Sequence, residues 1–173
     1  MTFRTIFERT IRYFVAFFIF IYGAAKPLQF GTKENLPDIP VSEMTGMELM
    51  WSFFGYSTEL PIIIGILQVS GSLLLLFSRT KIIGILLLLP IMANIVLFDL
   101  FYQVHRGATI NAIVFLVILI GLLFFEKQKL LQVFKIITSK EKKNPKAIQL
   151  FFICATLAAT LFFIYTLILQ KQT

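Results

Sequence analysis

The sequence predicts an all-α, polytopic membrane protein: a four-helix bundle followed by one additional C-terminal transmembrane helix. Three observations carry this. Residues 60 to 78 hold no charge over 19 positions, and residues 82 to 98 hold none over 17; about 20 mostly apolar residues, with roughly 17 still adequate, cross a bilayer. Neither run shows the polar stripe of a soluble helix, least of all in Leu73-Leu-Leu-Leu-Phe77 and Leu86-Leu-Leu-Leu89. Charged residues make up only 14% of the chain, against about 25% in soluble domains, and they sit at the ends of apolar runs and in one loop.

The 173 residues fit a single membrane domain over 1–125, a basic linker over 126–146 and a fifth span over 147–173. The chain opens with a short basic segment, Arg4, Arg9 and Arg12 against Glu8. The apolar run Tyr13 to Ala25 is only 13 residues long. Its length, with Gly23-Ala-Ala25 behind it, would also suit a cleaved signal peptide. A retained span is the expectation, with Arg12 and Lys26 at or inside the membrane edges and snorkelling outward. Pro27 should end or kink that helix.

Residues 28 to 58 form a long polar connection. Thr32 to Pro40 reads as irregular loop. Thr45-Gly-Met-Glu48 fits a capping box, with Thr at the N-cap and Glu at the third helical position. The helix it starts, about Gly46 to Phe54, carries Met47, Met50, Trp51 and Phe54 on one side. Such a helix either lies in the lipid interface or packs over the bundle.

The second and third spans form a hairpin, Glu59 to Phe101, turned at Ser78-Arg79-Thr80-Lys81. In its first arm Pro61, Gly65, Gln68 and Ser72 recur at helical spacing, the pattern of a helix–helix seam. In its second arm Pro90 frees a backbone carbonyl one turn earlier, near Leu86, and Asn94 follows one turn later. A short loop, Tyr102 to Ile110, leads to a fourth span from about Thr109 to Phe125. The segment Glu126 to Lys146 carries seven Lys and two Glu. Its middle, Leu130 to Ile137, looks amphipathic, and Asn144-Pro145 closes it. The last span, Ala147 to Gln170, runs 24 residues without charge.

Basic residues set the orientation. With the N-terminus cytoplasmic, 12 Lys and Arg fall inside and 4 outside (Lys26, Lys33, Arg106 and Lys171). The chain is thus expected in the inner (plasma) membrane, N-terminus in, C-terminus out, with the 28–58 loop extracytoplasmic and the 126–146 linker reading the anionic inner leaflet. The lipid bilayer is the first partner, a membrane protein or a second copy the next. The net charge of +7, placed at span ends, does not indicate nucleic acid.

One cysteine, Cys154, and one histidine, His105, exclude an intrachain disulfide, a CxxC redox pair, a four-Cys iron–sulfur cluster, a thiolate zinc site and a bis-histidine haem within one chain. No metal-ligating or catalytic set appears, and no Gly-rich phosphate loop, HExxH or GxSxG motif. The remaining polar residues fall toward one end of the bundle. Lys26, Glu59, Gln68, Asn94, Asp99, Tyr102 and Asn111 are candidate ligand-binding residues of an outward-facing pocket, with Lys26 paired to Glu59 or Asp99. Ionisable groups at membrane depth are costly unless paired or hydrated, yet span-end charges and interhelical hydrogen bonds are also ordinary structure. His105 beside Arg106 reads as a solvated loop residue, and Cys154 as an apolar filler. The opposite half of the bundle is expected to be almost free of polar groups apart from the seam.

Several short motifs give a family resemblance. Tyr22-Gly23-Ala-Ala-Lys26 is similar to the G-x-x-K signature of DoxX-like membrane proteins. Trp51-Ser-Phe-Phe-Gly-Tyr-Ser57 after the long loop, Gly65-x-x-Gln68-x-x-Gly71, Ser78-Arg79-Thr80, Asn94 and Tyr102 extend the likeness over about residues 10 to 125. Many such proteins carry Glu where Gln68 stands, and Tyr-Asp-Val-Pro-Val-Lys where this chain reads Tyr102-Gln-Val-His-Arg-Gly107. The resemblance implies a four-helix membrane core and a heterogeneous family, in which some members resemble quinone-linked oxidoreductase subunits, others associate with redox enzymes or act as assembly factors, and many have no known activity. Fold and residues together suggest an accessory or quinone-interacting subunit of a membrane complex, not catalytic on its own. A chaperone or scaffold for membrane proteins is the alternative. A small-solute transporter is the weakest, since no repeat or broken midplane helix is visible.

Overall fold

The computed structural model describes residues 2–30, 36–139 and 147–170. Its elements are α1 (Phe3–Gln29), a 3-10 turn (Val41–Glu43), α2 (Gly46–Gly55), α3 (Glu59–Leu76), α4 (Lys81–Phe101), α5 (Arg106–Phe125), α6 (Lys127–Ile137) and α7 (Ala147–Gln170). No strand occurs among the described residues. Five helices are long and apolar enough to cross a membrane: α1, α3, α4, α5 and, over Ile148–Tyr165, α7. The chain divides into two compact units, Met1–Gln128 and Lys129–Thr173.

In the first unit α1, α3, α4 and α5 form a ring, each packing on the next and α5 returning to α1. The most extensive pairing, α1 with α3, is made by glycine. A Cβ on Gly65 would stand 2.6 Å from the Gly23 carbonyl oxygen, and one on Gly23 would stand 2.8 Å from Gln68 Cβ. A second pair joins α3 to α4: a Cβ on Gly84 would lie 2.7 Å from the Gly71 carbonyl oxygen. Helices without a hydrophobic force between them associate through such backbone approach. Pro61, Gly65, Gln68 and Ser72 are all buried, as their spacing predicts. Inside the ring Val15, Ile19, Leu75, Ile85, Leu88, Phe115 and Leu119 form the core.

The first span is longer than the sequence suggests. α1 runs 27 residues and continues through Pro27 to Gln29. Arg12 and Lys26 do not snorkel outward; they point inward, at 0% and 7% exposure. At the end of the bundle where α1 begins (the near end), Arg12 Nη1 donates to the carbonyls of Leu75 and Leu76 at the C-terminus of α3, the latter at 3.0 Å. Those carbonyls have no intrahelical donor and carry the negative end of the helix dipole. Arg12 Nε lies 3.2 Å from Glu8 Oε1. Glu8 also pairs with Lys81 at 3.1 Å, and Lys81 with Glu126 at 2.5 Å. Four alternating charges thus join α1, α3, α4 and the end of α5. The near half is therefore not free of polar groups: the last carbonyls of α3 are acceptors there, and the buried Arg12 meets two of them.

The 78–81 turn is short, closed by Thr80 Oγ1 donating to the Leu74 carbonyl at 2.8 Å. α6, which runs into the second unit, is amphipathic, with Leu130, Leu131, Phe134 and Ile137 along one side and Lys129 opposite them. In α7, residues 148 to 165 are exposed, and Thr156 and Thr160 bond back to carbonyls of their own helix. The irregular stretch expected over Thr32 to Pro40 lies in part outside the described residues. Lys33, Asn144-Pro145, Lys171 and the basic run from Lys140 to Lys146 lie wholly outside them.

Two substitutions test this account. Arg12→Leu leaves the α3 carbonyls unpaired and should cost about 3 kcal/mol, within the range for breaking a buried charge pair. Gly65→Val forces α1 and α3 apart and should cost about 1–3 kcal/mol or more. Thermal unfolding in detergent reads both. Arg79→Leu, in the exposed turn, should leave the midpoint unchanged.

Candidate functional site

The opposite, far end of the bundle encloses a cavity of about 80 Å³. A buried water needs about one probe sphere, ~10–15 Å³ by this kind of measure, so the space has room for several waters, or for one six-membered ring in their place. α1 contributes Ile19, Tyr22, Lys26 and Gln29, α3 contributes Ile64 and Gln68, and α4 contributes Met92, Phe98 and Asp99. Ala108, Ala112 and Phe115 of α5 close the far wall.

The roof is α2. Its N-terminus is fixed by the capping box that the sequence predicts: the Glu48 backbone N–H donates to Thr45 Oγ1 at 3.3 Å, and the Thr45 backbone N–H donates to Glu48 Oε2 at 2.8 Å. Glycines seat both ends. A Cβ on Gly46 would lie 2.5 Å from the Tyr102 carbonyl oxygen, and one on Gly55 2.8 Å from that of Phe30. Trp51 Nε1 donates to the Gln29 carbonyl at 3.1 Å. Phe30 stacks on Phe54 with ring centroids 4.7 Å apart, and its edge contact with Trp51 is at 5.3 Å. Met50 and Phe54 are buried beneath, with Val104. Between the two alternatives for this helix, the structure packs it over the bundle. Met47, expected on its packed side, is 40% exposed.

Polar atoms converge on the cavity with their hydrogen bonding incomplete. Gln68 is fully buried. Its Nε2 is set against Met92 Sδ at 3.9 Å, and its Oε1 has no partner among the described residues. An unsatisfied buried acceptor costs about 1–3 kcal/mol. Lys26 Nζ donates to Gln29 Oε1 at 3.0 Å and sits 5.0 Å from the Phe30 ring centroid. Asp99 is 7% exposed and borders both the cavity and an open groove lined by Gln103, Arg106 and Thr109. One cationic donor and two acceptors therefore face one aromatic-walled space.

Of the seven candidates, Lys26, Gln68 and Asp99 come together here. No ion pair joins Lys26 to Asp99, although their charges act on one another. Glu59 does not pair with Lys26: it is exposed at the start of α3 and accepts from Ser57 Oγ at 2.9 Å. Asn111 reaches only the rim, where its Nδ2 donates to Tyr22 Oη at 3.3 Å. Tyr102 packs on Phe98 beneath α2, outside the cavity lining. Asn94 is exposed on the outer side of α4. Two polar side chains of the lining escape the sequence reading, Tyr22 and Gln29. The signal for both was their helical spacing from Lys26, three or four residues away, which places all three on one face. His105 is exposed and caps α5, its Nδ1 accepting from the Gly107 backbone N–H at 3.2 Å. Among the described residues no three His, Cys, Asp or Glu side chains gather as a metal site would require.

The chain is 34% identical over 128 residues to the uncharacterised protein YwoB of Bacillus subtilis (strain 168), a match covering 73% of this chain and 80% of that protein. It belongs to that protein's family. No family model matches it, and no solved structure does.

The capping box makes the roof sensitive to pH. The Thr45 hydroxyl, and then its backbone N–H, hold the Glu48 carboxyl below its usual value of 4.5. A carboxylate held low in the folded state adds stability that is present above its unfolded pKa and is lost as pH falls through the folded value. Acidification below about pH 4.5 should therefore loosen α2. The emission of Trp51, the only tryptophan, should shift red in that window, and Glu48→Gln should flatten the transition.

Proposed function

We propose that this member of the YwoB family is a ligand-binding accessory subunit of a membrane complex, and that its cavity holds the ring of a quinone or quinol. The observation that carries the reading is the unpartnered Oε1 of Gln68, a buried side chain that lines a space walled by Tyr22, Phe30, Trp51, Phe54, Phe98 and Phe115. Ligand sites are largely apolar and aromatic, with a few polar groups that fix orientation. A quinol hydroxyl donates to Gln68 Oε1, and Lys26 donates to an oxygen of either redox form. Asp99, in the wall between cavity and groove, offers a second acceptor. The likeness to DoxX-like proteins supports the same class of ligand.

The distribution of basic residues supports a plasma-membrane protein with its near end cytoplasmic. The cavity would then lie toward the extracytoplasmic side under α2. In this reading electron transfer belongs to a partner. Its own residues bind and orient the ring and exclude water from it.

Native mass spectrometry of the detergent-extracted protein should show a bound quinone. Menadione should quench Trp51 saturably, and Lys26→Ala and Gln68→Leu should each weaken that binding about tenfold or more, the effect of one charge-assisted or buried hydrogen bond. Asn94→Ala should leave it unchanged. Protein that carries no quinone and shows only linear, unsaturable quenching overturns the reading.

A further inference from the structure

α4 has two unlike faces. Gly84, Ile85, Leu88, Met92, Val96 and Asp99 are buried. Ile83, Leu86, Leu97 and Phe101 are exposed on the other side, and Pro90 and Asn94 lie among them. At a rise of 1.5 Å per residue, Asn94 stands roughly 20 Å from the start of α4 and roughly 10 Å from its end. That depth is inside a hydrocarbon layer of about 30 Å, and an asparagine side chain is too short to reach water from there. No hydrogen bond to the Asn94 side chain occurs among the described residues, whereas Asn111, nearer a helix end, is held by Tyr22.

A second polar group lies beside it. Pro90 has no N–H, so the Leu86 carbonyl loses its helical donor. Lipid offers no partner to either group. An unpaired amide, with a carbonyl short of its helical donor one turn beyond Pro90 on the same outward stripe, marks a surface that another helix covers.

We propose that this face of α4 is a homodimer interface, in which Asn94 of one copy hydrogen-bonds Asn94 of a second. A primary amide carries both donors and acceptors, so two of them at equal depth complete one another. A two-fold axis along the membrane normal brings identical residues to equal depth. A foreign helix would have to present a polar side chain of its own at that level, whereas a second copy supplies one by symmetry. Ala93 beside Asn94 and the compact ring of Pro90 permit close approach. The face points away from the cavity, so the dimer stands or falls independently of the ligand reading.

The test is cross-linking in proteoliposomes on a Cys154→Ser background, which removes the one native thiol. Asn94→Cys should form a disulfide-linked dimer under mild oxidation, and Val117→Cys, on the exposed face of α5, should not. In lipid-dilution energy transfer between labelled copies, Asn94→Leu should weaken dimerisation about tenfold, while Asn94→Gln, which keeps the amide, retains it. Unchanged Trp51 emission confirms that the variants are folded. A wild-type protein that stays monomeric across the dilution series overturns the proposal. So does a dimer indifferent to Asn94→Leu, or one that cross-links at position 117 instead of 94.

Discussion

The contact between α1 and α3 is the constraint on which the rest depends. Gly23 and Gly65 bring the two backbones together, and this one register fixes both ends of the bundle. On the near side it carries Arg12 to the last carbonyls of α3. On the far side it sets Lys26 and Gln68 on a common cavity. A side chain larger than hydrogen at either glycine would disturb the packing, the charge network and the cavity together. Small residues at a membrane seam are usually described as permitting approach; here they also set the depth at which polar groups meet.

The two ends handle buried polarity differently. At the near end Arg12, Glu8, Lys81 and Glu126 form a chain of opposite charges, and the α3 carbonyls complete it. Each desolvated charge has a partner, the condition under which a buried network is tolerated. At the far end the count is left open. Among the described residues Gln68 Oε1 lacks a donor, Lys26 donates to Gln29 and sits near the Phe30 ring, and Asp99 borders both the cavity and the groove. The near end thus pairs its buried charges, though Arg12 Nε and Nη2 make no hydrogen bond among the described residues, while at the far end an amide acceptor is left without a donor beside a cavity.

Much of this was legible before the fold. The seam residues, the capping box of α2, the tight turn and the amphipathic α6 all follow from local spacing, because each depends on neighbours within one or two turns. Lys26, Gln68 and Asp99 were identifiable as polar residues in apolar surroundings. What they do with one another was not. Arg12 read as an interfacial residue because its true partners, the carbonyls of Leu75 and Leu76, are more than 60 positions away and leave no trace in side-chain identity. Glu59 read as a partner of Lys26 because span ends are close in any hairpin, yet the helix turns it outward.

The sequence by itself determined the fold class, the positions of the apolar spans and the helix faces that must be buried, since periodicity and charge act locally and the bilayer punishes exceptions. The tertiary structure decided which polar groups share a space and which are left without a partner. Asn94 and Gln68 illustrate the difference. Both are amides deep in spans, alike in sequence. The rotation of each helix about its own axis, set by packing against its neighbours, turns Gln68 toward the cavity and Asn94 to the outer side of α4.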